Sequence, residues 1–130
     1  MLSVMIRAEF QRDWLPHVTD HGLQRLIELL GKGSPMLIHG AFTRAVPMGC
    51  LASHIAWNHP KTACYDHEAG VRWLTRVAGL NPATSAVIRA WDEDGVHNFE
   101  LRSELLAECR EEAKRRDCGC PIDDLELLAC

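Results

Sequence analysis

The chain contains no apolar run near the ~20 residues needed to cross a bilayer, so no membrane-spanning helix is expected. Its opening stretch, Met1 to Trp14, carries Arg7, Glu9, Arg12 and Asp13 and so lacks the uninterrupted apolar centre of a signal peptide. Without an export signal the expected compartment is the cytoplasm, where thiols stay reduced. The six cysteines, at 50, 64, 109, 118, 120 and 130, are therefore read as thiols or ligands before disulfides. No glycine-rich phosphate loop, P-loop or serine-centred elbow is present, which removes the commonest nucleotide-binding and hydrolase signatures. No segment alternates with period two among β-branched residues, so no strand is expected. One absence is regional: between Glu28 and Asp66 there is no acidic residue, although Lys32, Arg44, Lys61 and three histidines lie there.

What is present is ordinary globular material. Of 130 residues, 47% are apolar and 25% charged, enough to bury one core without a disulfide framework. Net charge is −4 and uneven: residues 1–65 hold six Lys/Arg against four Asp/Glu, and residues 66–130 hold eight against fourteen. The acid-free run should form either the electropositive part of the surface or a buried middle that excludes carboxylates.

Helical spacing dominates the chain. Leu2, Ile6, Phe10 and Trp14 recur every four residues, a single stripe that Pro16 ends. Asp20 is positioned to cap a second helix with Leu23, Leu26, Ile27 and Leu30 inward, stopped at Gly31-Lys32-Gly33. Ser34-Pro35 predicts a short helix to Arg44. Pro47 is expected to open a central helix that His59-Pro60 closes, with Leu51 and Ile55 on its core side. Asp66 should cap a helix ending at Gly79, and Asn81-Pro82 should start the next. Asn98 caps the longest helix, where Leu101, Leu105, Cys109 and Ala113 form a narrow stripe between charged positions. Leu125, Leu127 and Leu128 suggest a last short helix within a tail, 117–130. The expectation is all-α: a single compact helical domain of about seven short-to-medium helices, which must pack their stripes together to persist.

The richest stretch for chemistry runs from Pro47 to Glu68 and holds Cys50, His54, His59, Cys64 and His67. Cys50 and His54 are i,i+4 and share one helical face, so a zinc ion held by them and by one or two of the other three is one candidate. The spacing matches no zinc-finger or H-E-x-x-H pattern. A thiol enzyme is a second candidate, with Cys50 as nucleophile near a helix N-terminus and His54 or His67 as base. The third reading is structural: Cys50 packs as a small hydrophobe, and Trp57, Tyr65 and Trp73 are core aromatics around a satisfied histidine.

Other groups carry narrower readings. His17 and His21 are i,i+4 but flank Pro16 and Asp20, which suits solvated loop imidazoles. Cys118-Gly119-Cys120, with Cys109 and Cys130, offers soft-metal or disulfide-exchange chemistry, or an incidental tail. The segment 74–89, with Ala78-Gly79, Leu80 and Asn81-Pro82 between two helices, resembles the helix-turn-helix of bacterial DNA-binding regulators. The resemblance covers some sixteen residues and implies Thr84, Ser85 and Arg89 near bases or phosphates. Ser85 stands where that motif buries Val or Ile, and Asp92-Glu93-Asp94 opposes phosphate, as does the net charge. The charged face of 98–116 runs acid first and base last, as the helix dipole favours, and reads as solvated.

Together these features predict a small soluble helical binding, interaction or regulatory module without catalysis. Self-association or a protein partner is expected, with Trp14, Trp57 and Trp73 as its surface if they are exposed together. Zinc binding, DNA binding and thiol catalysis are the alternatives.

Overall fold

The computed structural model describes residues 3–44, 46–63 and 66–119, with 118 and 119 as backbone only. The fold is all-α. Six α-helices form among the described residues: α1 Val4–Glu9, α2 Asp20–Lys32, α3 Leu51–Trp57, α4 Ala69–Arg72, α5 Ala86–Asp94 and α6 Phe99–Gly119. Of the expected helices, the one at 35–44 does not form. The expected helix at 125–128 lies outside the described residues.

The stripe of α1 behaves as its spacing requires. Ser3 caps the helix through the Ile6 amide, and Phe10 and Trp14 are fully buried. After Glu9 the helix widens into a π turn over Phe10–Trp14, closed by the Leu15 amide on the Phe10 carbonyl. A matching π turn, Trp73–Val77, extends α4. The two wide turns bring Trp14 and Trp73 together, ring centroids 5.3 Å apart. Both tryptophans are core, so the aromatic partner surface expected from Trp14, Trp57 and Trp73 does not form.

Thr19, not Asp20, caps α2, its hydroxyl accepting from the Gly22 amide while it donates to the Asn58 carbonyl. Gly33 ends α2 with φ +63°, the left-handed conformation that glycine adopts without a Cβ penalty. Leu23, Leu26, Leu29 and Leu30 face inward, and α2 packs chiefly along α6 and α3. On α6, Leu101, Leu105 and Cys109 are buried as the stripe requires, and Asn98 accepts from the Leu101 amide. The charged face of α6 is not wholly solvated: Glu108 receives Gln11 at 2.7 Å and Arg7 at 3.3 Å.

Between α2 and α3 the chain runs irregularly, held by partners distant in sequence. Gly49 bridges to Leu37 and to Thr43. The Met36 carbonyl receives the Gly49 amide and lies 2.8 Å from the His54 ring. The Ile38 carbonyl takes the Trp91 indole, and the Phe42 carbonyl takes the Ser53 hydroxyl and the Cys50 amide. These tertiary bonds replace the helix expected from Ser34-Pro35. They also delay α3, which starts at Leu51 rather than near Pro47.

The start of α5 is shifted as well. Asn81 forms a local turn by accepting from the Ala83 amide, and Ser85 caps the helix through the Ile88 amide. The buried Glu9 carboxylate, from α1, completes that N-terminus. It accepts from the Ala86 amide at 2.8 Å, the Val87 amide at 3.2 Å, the Ser85 hydroxyl and the Trp14 indole. A carboxylate suits the positive end of a helix, and here it also satisfies amides that have no partner inside α5.

Candidate functional site

The Cys50–His54 turn forms, but its two side chains have separate surroundings. Cys50 is the N-cap of α3, with extended backbone, and its carbonyl accepts from the His54 amide at 3.2 Å. Its side chain is buried, with Sγ 3.9 Å from the Ser53 hydroxyl. Burial pushes the thiol up to about 11, overriding the opposing pull of Ser53 and Ala52. The helix terminus therefore does not produce the thiolate that the thiol-enzyme candidate needs at Cys50. Desolvation outweighs it, because an ion gains most from water it has lost here.

His54 is buried too, and its Nε2 lies 2.8 Å from the Met36 carbonyl. A carbonyl only accepts, so Nε2 carries the proton and the neutral ring holds its lone pair on Nδ1. Burial keeps this histidine below its ordinary pKa; the Met36 bond opposes that shift and the nearby Arg25 charge adds to it. Trp57 stands edge-to-face with the ring, centroids 5.1 Å apart.

The other members of the Cys/His stretch point elsewhere. His59 follows α3 and accepts the Lys61 amide on Nδ1. Burial lowers its pKa, and the charges of Lys61 and His17 lower it further. His67 is exposed, with Nδ1 2.8 Å from the Thr43 hydroxyl. Cys64 lies outside the described residues. Among the described residues no three His, Cys, Asp or Glu side chains are grouped to hold a metal ion. The tail thiols Cys118, Cys120 and Cys130 also fall outside the described side chains. Cys109 is core, its thiol pushed up to about 12 by burial.

Of the residues assigned to nucleic acid, Thr84 and Arg89 are exposed. Ser85 is buried and committed to Glu9 and the α5 cap, which removes it from any base edge. The Asn81-Pro82 start that carried the helix-turn-helix resemblance is also absent, since α5 begins at Ala86.

What the structure does assemble is a cavity of about 410 Å³ between α2 and α3, lined by His21, Arg25, Glu28, Pro47, His54, Trp57 and Asn58. From α2 come positions i, i+4 and i+7, one face beside the leucine stripe. From α3 and its end come His54, Trp57 and Asn58. The walls are held from behind. Asn58 Nδ2 donates to the His54 carbonyl at 2.8 Å, and Trp57 Nε1 donates to the Asp66 carbonyl at 3.1 Å. Gly49 lets Trp57 lie close: a Cβ there would sit 2.8 Å from the indole and 2.7 Å from Ser53.

Arg25 and Glu28 form a half-exposed ion pair at 3.3 Å. Among the described residues this is the only hydrogen bond of the Arg25 side chain. The lining residues include no serine, threonine or cysteine. The cavity thus offers a guanidinium, two imidazoles, an amide and an aromatic wall, but no hydroxyl or thiol nucleophile. Sequence reasoning treated His21 as the partner of His17. The signal for the cavity was its other neighbour, Arg25, four residues on.

The chain matches no protein family, and no curated protein or solved structure resembles it to a significant degree.

Proposed function

We propose that this chain is a small helical binding module, without catalysis, that holds a small polar ligand in the cavity between α2 and α3. The observation that carries the reading is the makeup of that cavity. A buried histidine of one tautomer, an anchored tryptophan and a half-exposed arginine converge, and no hydroxyl or thiol lines the cavity with them. The cavity's volume falls within the roughly 300–1,000 Å³ of small-molecule sites, and its lining is mainly polar, which suits a polar ligand.

The thiol-enzyme alternative has little support, because Cys50 is buried and its thiol is held protonated. The zinc alternative centred on Cys50 and His54 has little support, because among the described residues no three His, Cys, Asp or Glu side chains are grouped as a zinc site requires. Elemental analysis of tag-free protein separates these cases, with substoichiometric metal expected for the binding module.

The direct test is a screen of small polar compounds by ligand-observed NMR, repeated on His21→Trp. His21 is exposed at the cavity rim, so a tryptophan there fills the entrance without disturbing the core. Hits that bind the natural chain and vanish in His21→Trp support the reading. Hits indifferent to the substitution, or no hits, refute it.

A further inference from the structure

Resting on that reading of the cavity, we propose that its ligand is a small carboxylate with a flat apolar body, which takes Arg25 over from Glu28.

The charge inventory of the walls points this way. Pro47, His54, Trp57 and Asn58 all come from the run 29–65, which contains no acid, so Glu28 is the only carboxylate among the lining residues. Arg25 is the only permanent cation there. Its single contact to Glu28 uses one nitrogen, NH1, at 3.3 Å. The planar fork of a guanidinium accepts a carboxylate through two parallel bonds, so this one-point pair is readily exchanged for a better-seated anion.

Glu28 can leave without cost to the core, because its side chain is 54% exposed. The other strong donors facing the cavity are already used. His54 Nε2 is committed to Met36, and Trp57 Nε1 to Asp66. Arg25, with His21 one turn before it, is placed to receive charge, and Pro47 and Trp57 are the lining residues that an apolar body would meet.

A cation would meet Arg25 as a like charge, and a neutral amide would leave the fork half used. The acid-free stretch thus lines a cavity suited to an anion.

The test uses three probes with one ring and one planar headgroup: benzoate, benzamide and benzamidinium. Each is titrated into the full chain by calorimetry, with the amide spectrum reporting Trp57 and Asn58. Benzoate should bind about tenfold more tightly than benzamide, as a charge-assisted bidentate pair implies, and benzamidinium more weakly than either. Arg25→Gln should weaken benzoate far more than benzamide and so remove the preference for benzoate. Glu28→Gln should tighten benzoate, because the internal competitor is gone. Raising salt should weaken benzoate alone. Benzamide equal to or tighter than benzoate at this cavity, or benzoate unaffected by both substitutions, overturns the inference and leaves the binding reading standing. If none of the three probes binds while other compounds from the screen do, the inference fails alone; if nothing binds, both fail.

Discussion

Two buried side chains, Glu9 and His54, show how polar groups are settled inside this domain. Glu9 is 8% exposed yet fully engaged, with four donors from Trp14, Ser85, Ala86 and Val87. Removing it strands all four at once. Glu9→Ala should therefore lower stability by about 3 kcal/mol or more, whereas Ser85→Ala should cost about 1 kcal/mol as a lost cap. Urea unfolding of both variants checks the ranking, and a Glu9→Ala loss no greater than that of Ser85→Ala would contradict it.

His54 links the core to pH. Its pKa in the folded chain lies below the ordinary value, so the fold favours the neutral ring. The stability this provides is complete above about pH 6.5, the usual histidine pKa, and is lost as pH falls through the folded value. His59 has the same sign. Asp92, raised by burial, has the opposite sign and acts at lower pH, where its protonation favours the fold. The urea midpoint should thus fall between pH 8 and pH 5, and His54→Gln should flatten that slope. A slope unchanged in the variant would remove His54 as its cause.

At the scale of elements, α1, α2 and α6 were legible because their signals are local. The four-residue stripe through Phe10 and Trp14, Gly33 at the end of α2 and Asn98 before α6 each act within a turn or two. The segment 34–50 was not legible for the opposite reason. Ser34-Pro35 is a sound local helix start, but the carbonyls of Met36, Ile38 and Phe42 are claimed by His54, Trp91 and Ser53, which lie 11 to 53 residues away. Asn81-Pro82 failed as a helix start in the same way, because Glu9 meets the chain at Ala86, 77 residues distant. The i,i+4 spacing of His21 and Arg25 was readable; that α3 lies opposite them was not.

Gly49 is where the irregular segment meets α3, and a methyl group there has no room beside Ser53 and Trp57. Gly49→Ala should cost about 1–3 kcal/mol, as overpacking does. It should also displace the Trp57 indole, visible as a shift of its Nε1–H resonance. An unchanged indole resonance with native stability would show that this contact is not tight.

At the scale of the molecule, the C-terminal part of α6 is tied back to the first half of the chain through Arg116. Arg116 reaches Asp20 at 2.7 Å, Glu112 at 2.8 Å, and the carbonyls of Leu15 and Val18 at 2.9 and 2.8 Å. The fork geometry is what serves four acceptors, so Arg116→Lys should lose most of what Arg116→Ala loses, about 1–3 kcal/mol. Full recovery by lysine in thermal unfolding would mean that charge alone suffices.

That tie secures the Asp20 end of α2, the helix that carries His21, Arg25 and Glu28 to the cavity. The cavity between α2 and α3 is the centre of the account. Its most direct test is an amide-correlation NMR map of the full chain with benzoate added to saturation. The account predicts shifts concentrated at His21, Arg25, His54, Trp57 and Asn58, with the Trp57 indole moving and those of Trp14, Trp73 and Trp91 still. Shifts confined to the exposed apolar side chains Val4, Met5 and Phe99, with the cavity silent, would contradict the assignment of a carboxylate to this cavity.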